Sequence, residues 1–293
     1  MCGSARVSEL WVCEDCGSRP ETIDVSFAFA LGLAAENQGF REAYFGQLAA
    51  LEASNFWFRA RNELITWATT RYFPDLRSFL EVGCGTGYVL SGMREAFPSA
   101  DLAGSEIFSA GLAFAARRVP SAQLYQMDAR RIPFRDHFDA IGAFDVIEHI
   151  DDDGAVLDEI NRALRPGGGL LLSVPQHPAL WSPQDVHAQH VRRYTLGGLR
   201  RRLEAARFDI VRTTSFMSLL LPMIVASRWR MRGSRSEAAF DVMDELRQPR
   251  TVNLALGAVM SIERALIRAG VSFPAGGSLL VVARKQHRTE AAA

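Results

Sequence analysis

Lysine is almost missing from this chain of 293 residues: Lys285 is the only one, and the other 32 of 33 basic residues are arginine. Every remaining basic position being arginine reads as a codon-composition bias of the source, and it leaves almost no room for a lysine nucleophile or Schiff base. An excess of charge is missing too, since 33 Asp plus Glu balance the basic residues to a net charge of zero. That balance gives no electrostatic footprint for a nucleic acid or an anionic membrane. Cysteine is scarce, at positions 2, 13, 16 and 84, too few and too unevenly spaced for a disulfide scaffold. No basic-then-apolar leader opens the chain, which predicts a cytoplasmic protein. The longest apolar run, 216–226, carries Pro222 and is far shorter than the ~20 residues a bilayer-spanning helix needs. What is present is 48% hydrophobic and 23% charged residues, ample for one large domain with an appendage or for two small ones.

Apolar and aromatic residues recur at helical spacing over 26–73, including Phe40, Tyr44, Leu48, Leu64 and Trp67, which predicts two or three helices ending at Pro74. The pattern then alternates. Strands are expected at 79–82, 102–105, 123–126, 139–144 and 170–174, with helices at 88–96, 110–118 and 154–164 between them. The run Pro166-Gly167-Gly168-Gly169 reads as a stop before the strand at 170–174. Such alternation means parallel βαβ units and a doubly wound α/β sheet. Beyond it, a helix at 196–206, a strand at 209–213, helices at 217–231 and 254–269, and a last strand at 278–284 are expected. An arginine-rich polar stretch at 230–248 reads as a loop or lid.

The first strand runs into Glu81-Val82-Gly83-Cys84-Gly85-Thr86-Gly87-Tyr88. Glycines at a strand-to-helix turn admit a ligand close to the backbone, and the helix start that follows offers free N–H groups. A nicotinamide or flavin dinucleotide turn needs its third glycine where Tyr88 stands, which disfavours an NAD(P)-dependent oxidoreductase. With Glu81 two places before Gly83, the turn resembles the first motif of the class I S-adenosylmethionine-dependent methyltransferases. Glu106, 23 residues beyond Gly83, stands where that resemblance implies hydrogen bonds to the ribose, with Ile107 beside it. Asp128 and Ala129 stand where the adenine would be read. The segment 138–150, with Asp145 and ending in Glu148-His149-Ile150, resembles the ubiquinone-biosynthesis type of the family, and 162–168 resembles its usual helix-to-strand connection. The resemblance implies a Rossmann-like, seven-stranded sheet, mostly parallel with an antiparallel last strand. It also implies a cofactor site built from Glu81, Gly83, Cys84, Gly85, Gly87, Glu106, Ile107, Asp128, Ala129 and Asp145, holding S-adenosylmethionine. Cys84 itself reads as a small apolar filler rather than a nucleophile.

Methyl transfer from a sulfonium asks for alignment, and for a base only where the acceptor loses a proton. His149, past the fourth strand of that sheet, is either such a base or a residue packed near the methionyl part of the cofactor. The run 185–195, with Asp185, His187, His190 and Tyr194, resembles a segment that follows the fifth strand in bacterial relatives, preceded here by His177 and Trp181. It either lines an acceptor pocket, with His190 as proton acceptor, or is a loop tied down by hydrogen bonds. The run Phe56-Trp57-Phe58-Arg59-Ala60-Arg61-Asn62 resembles an aromatic-arginine segment, and either covers the cofactor or packs on the sheet with its arginines in solvent.

Cys13-Glu14-Asp15-Cys16 is one zinc knuckle, and Cys2-Gly3 looks like the second half of another. The choice is a truncated or degenerate zinc ribbon built on Cys2, Cys13 and Cys16, or three free thiols. The resulting division is a ribbon-like segment at 1–20, a helical segment at 21–78, the cofactor domain at 79–215 and 276–286, a helical insertion or lid at 216–275 and a tail at 287–293. The expected activity is transfer of a methyl group to a small-molecule or lipid-like acceptor, at oxygen, by a protein that binds no nucleic acid. The apolar stretches 216–226 and 254–269 either form a lid, make peripheral contact with a membrane, or simply pack. A non-catalytic protein that binds the same cofactor is the alternative.

Overall fold

The computed structural model describes residues 11, 17, 19–23, 26–33, 42–232 and 247–286. Cys2, Cys13 and Cys16 lie outside the described residues, as do the tail at 287–293 and most of the arginine-rich stretch.

Strand β3 (Ser78–Val82) is buried along its whole length and lies between β4 (Asp101–Glu106) and β6 (Phe138–Phe144), both parallel to it. Strands buried on both faces read as continuous apolar runs, which is how Phe79-Leu80 and Ala140-Ile141 are written. Outward from this centre lie β5 (Gln123–Gln126) on one side and, on the other, β7 (Leu164–Pro175), then β9 (Ser278–Lys285) and β8 (Phe208–Phe216). The pairs involving β9 are antiparallel, while β5 and β7 join the sheet in parallel.

Helices cover both faces. On one, α2 (Phe56–Tyr72), α3 (Tyr88–Ala96), α4 (Ser109–Arg118) and α9 (Arg250–Arg268) bury Leu64, Ile65, Leu90, Met93, Leu112 and Met260. On the other, α5 (Asp153–Ala163) and α7 (Leu196–Ala205) bury Val156, Leu157, Ile160, Leu199 and Leu203. Among the described residues, α1 (Glu42–Leu51) precedes α2, α6 (Pro183–His187) lies between β7 and α7, and α8 (Leu221–Arg232) lies between β8 and α9. Asn55 caps α2 by accepting from the Trp57 N–H, and the start of α2 is tied to α9 by Asn253, whose side chain accepts from the Phe56 N–H and donates to the Ser54 carbonyl.

The structure departs from the sequence pattern at two places. Among the described residues the sheet has nine strands rather than seven, because β1 (Glu21–Ile23) and β2 (Ser26–Ala28) form a hairpin that joins β5 in parallel through β2. These lie in the segment read as helical. Three-residue strands are too short to display a period, and what holds them is tertiary: Phe27 stacks on Tyr125 and Trp11 packs edge-on to Phe29, Tyr125 and Phe134. The second departure is β7, which begins at Leu164 and runs through the glycines read as a stop, its register against β6 jumping from Phe138↔Leu164 to Ala140↔Gly169. The glycines form a bulge within the strand.

Phe134 joins the hairpin's aromatic cluster to the sheet and is 5% exposed. Phe134→Ala is expected to lower stability by about 3–4 kcal/mol in urea denaturation, the usual result of truncating a buried phenylalanine.

Candidate functional site

A cavity of about 520 Å³ opens at the carboxyl ends of β3, β4, β5 and β6, the edge where ligands bind in doubly wound sheets. The glycine turn forms its inner wall. Gly83 has φ 70°, and a Cβ there would sit 2.4 Å from Val146 Cγ2 in the loop after β6. Gly87, φ 76°, precedes α3, and a Cβ there would lie 2.9 Å from the Ala115 Cα of α4. The turn therefore serves two contacts at once, one across the cavity floor and one between helices.

Of the residues expected at the cofactor site, Glu81, Gly83, Cys84, Gly85, Glu106, Ile107, Asp128, Ala129 and Asp145 line the cavity. Gly87 is not among the lining residues and acts through packing. The Cys84 thiol is buried and pushed well up, by burial and then by Glu81 and Glu106, which leaves no thiolate at neutral pH.

Glu106, at the end of β4, turns back on the glycine loop and accepts from the N–H groups of Gly85 (3.1 Å), Ile107 (2.8 Å) and Phe108 (3.3 Å). Burial raises its pKa against the pull of those donors. Asp128, after β5, accepts from the Arg130 guanidinium at 2.8 and 3.0 Å and from the Arg130 N–H at 2.9 Å. Burial pushes Asp128 up, but the Arg130 hydrogen bonds outweigh it and its pKa is lowered.

The floor concentrates charge. Glu81 is fully buried, its Oε2 has no hydrogen-bond partner, and burial raises its carboxyl well above the usual range against the pull of Arg61. Arg61, from α2, reaches the Asp145 carboxylate at 2.6 Å without the alignment of a hydrogen bond, and lies over the Trp57 and Phe144 rings. Asp145 has φ 57°, in the left-handed region that aspartate tolerates better than most residues. Glu148, one short turn further on, is fully buried with neither carboxylate oxygen partnered.

The sequence reading overlooked Glu52. This buried carboxylate of the α1–α2 connection accepts from the Thr86 hydroxyl at 2.6 and 2.7 Å and from Arg118 at 2.6 Å, joining the cover of the cavity to the glycine turn and to α4. Phe45 and Leu48 of α1, and Phe58 of α2, complete that cover. The only signal was an acid among apolar helix positions. None of the described residues of the 216–275 insertion lines the cavity, and its residues 233–246 lie outside the described ones.

His149 lines the cavity, and its pKa is pushed down to about 4 by burial and then by His190. His190 stands behind it, the two rings edge to face with centroids 4.8 Å apart. Asp185 holds His190 Nδ1 at 2.9 Å and accepts from Arg193 Nε at 2.7 Å. The rest of the loop is tied down elsewhere. His187 bonds the Pro183 carbonyl, and Tyr194 donates to Asp153 at 2.7 Å. Of the run 185–195, only Gln189 reaches the cavity wall.

Residues 50–213 match the family described as Methyltransferase domain. Over 166 residues the chain is 28% identical to a Mycolicibacterium smegmatis protein named a probable S-adenosylmethionine-dependent methyltransferase, covering 56% of this chain and 63% of that one. It is 30% identical over 124 residues to the dTDP-3-amino-3,4,6-trideoxy-alpha-D-glucopyranose N,N-dimethyltransferase of Streptomyces venezuelae, covering 41% and 52%. The chain thus spans about half the length of these curated relatives. In three dimensions it resembles the Haloferax volcanii chain solved in complex with the Trm112 methyltransferase activator, with TM-score 0.56, 16% identity, and 85% of this chain and 97% of that one covered. At that identity the likeness shows the fold.

Replacing Arg61 leaves the buried acids of the floor without their nearest cation. Arg61→Met is expected to cost about 3 kcal/mol in denaturant unfolding, with part of the loss recovered in the Arg61→Met, Asp145→Asn double variant.

Proposed function

The chain belongs to the methyltransferase-domain family, and from that membership we propose that it moves a methyl group from S-adenosylmethionine to an oxygen atom of a small molecule. The observation that carries this reading is the ring of carboxylates at successive strand ends, Glu81, Glu106, Asp128 and Asp145, around one cavity beside the glycine turn. Acidic side chains outnumber basic ones along that lining, which suits a ligand with a positively charged sulfur. The Glu81 Oε2 and Arg61 Nε atoms, buried without partners, fit the ammonium and carboxylate of an amino-acid portion. Glu106 uses its oxygens on three backbone donors and keeps lone-pair capacity for ribose hydroxyls. Met127, Asp128 and Ala129 line the cavity on the β5 side, in line with an adenine there.

When bound, the cofactor supplies a methyl group already activated on sulfur, so the protein's work is alignment in a site with little water. The cover from α1 and α2 lies over one side of the cavity and is tied to the glycine turn by the Glu52, Thr86 and Arg118 cluster. A hydroxyl acceptor sheds a proton, and the polar groups available for that step stand on the side of the cavity where His149 faces it with His190 behind. A small acceptor fits better than a lipid, because the apolar helices α8 and α9 contribute nothing to the cavity lining among the described residues. No described helix is long and apolar enough to cross a membrane.

Calorimetry with S-adenosylmethionine tests the cofactor half of the reading. Glu106→Gln is expected to weaken binding by about 1–3 kcal/mol, roughly 5- to 150-fold, with the far-ultraviolet circular dichroism unchanged; an unaltered affinity refutes the site. For the transfer half, label from methyl-labelled cofactor should enter a small-molecule fraction of cell extract. Binding without labelled product would favour a non-catalytic cofactor-binding protein.

A further inference from the structure

We propose that Glu148, His149 and His190 form a binding site for a divalent transition-metal ion beside the cavity. Each of the three offers one ligand atom, and these atoms lie within 4.8 Å of one another. Two come from the turn after β6 and one from the loop after α6. The Val191 N–H donates to the Glu148 carbonyl at 2.8 Å and holds the two segments in register.

Two independent observations point to a cation rather than to chance proximity. The first is Glu148, whose carboxylate is fully buried with no hydrogen bond at either oxygen. A buried carboxyl without partners is costly, and ligation removes that cost. The charged groups that act on it are Asp145, Arg61 and Arg193. Asp145 faces Arg61, and Arg193 is committed to Asp185 and to the Gln176 carbonyl, so neither arginine neutralises Glu148 by direct contact. The second is the support behind the histidines. His190 Nδ1 is held by Asp185, itself fixed by Arg193, which leaves Nε2 as the nitrogen available to a metal. The His149 ring sits against the Ala188 and Gln189 backbone and edge to face with the His190 ring. Imidazoles anchored from behind by a carboxylate or a carbonyl are the usual outer support of metal ligands.

Two imidazoles and one carboxylate suit Zn²⁺, Fe²⁺, Co²⁺ or Mn²⁺ rather than Ca²⁺ or Mg²⁺, which favour all-oxygen cages. Ligand atoms of a tetrahedral zinc site are roughly 3.4 Å apart, so binding would draw these side chains together by about 1 Å. His149 and Gln189 line the cavity, so the ion would keep one face open to it, where an acceptor oxygen or a water completes its shell. The ion site stands on its own geometry. Only its part in activating an acceptor rests on the methyl-transfer reading.

The test uses the full chain carrying Cys2→Ser, Cys13→Ser and Cys16→Ser, so that thiolates cannot supply the signal. After chelator treatment, Co²⁺ is titrated in and its visible absorption followed. One equivalent is expected to give a saturable band. His190→Gln and Glu148→Gln are expected to weaken it at least 10-fold, and Asp185→Asn by 10- to 100-fold through the lost support. A parent protein that shows no such band, or variants that bind Co²⁺ as tightly as the parent, would overturn the proposal. S-adenosylmethionine calorimetry on the same samples keeps the two readings apart: a protein that takes up Co²⁺ but not the cofactor refutes the cofactor site and leaves the metal site standing.

Discussion

Arg61 is the cation on which the floor of the cavity depends. It pairs with Asp145, and it is the attractive charge acting on Glu81 and, with Arg193, on Glu148. Three carboxyl groups in so little space repel one another, and burial removes the water that would screen them. The guanidinium sets one positive charge among them. Glu81 and Glu148 are both pushed well above the usual carboxylate range. The position of α2 follows from the same constraint. Asn55 and Asn253 fix its start, the Arg61 guanidinium lies against the Trp57 and Phe144 rings, and the helix delivers Arg61 to the sheet edge.

A second cluster does for the roof what Arg61 does for the floor. Glu52, Thr86 and Arg118 belong to the α1–α2 connection, the glycine turn and α4 respectively, and their hydrogen bonds tie the three together. Arg118 also donates to the Thr86 carbonyl and reaches the Ala49 carbonyl. The cover is therefore bonded to the turn that a nucleoside ligand would touch, so any change in the turn is felt by α1.

The central strands and the glycine turn were legible because their signals are local. Phe79-Leu80 and Ala140-Ile141 are apolar runs of strand length, and Gly83 stands where a side chain would meet Val146. Glu106 and Asp128 were legible because a strand end fixes where a side chain emerges. Glu52 was not, since its role depends on Thr86 and Arg118, 34 and 66 residues away. His190 was half legible. The chain signals a polar loop there, but its approach to His149 is set by a backbone bond between Val191 and Glu148. The β1–β2 hairpin escaped for a related reason: its strands are held by Trp11, Tyr125 and Phe134, not by their own propensity.

That hairpin also changes what the β5 edge of the sheet presents. Without it, β5 would present a row of open backbone donors and acceptors beside the apolar rings of Tyr125 and Phe134, a template onto which a second chain's strand could add. With it, the outermost strand among the described residues is three residues long, begins at exposed Glu21 and follows Pro20, features that discourage further strand addition. The aromatic cluster thus acts as a stopper as well as a brace, holding a short strand over the open side of β5.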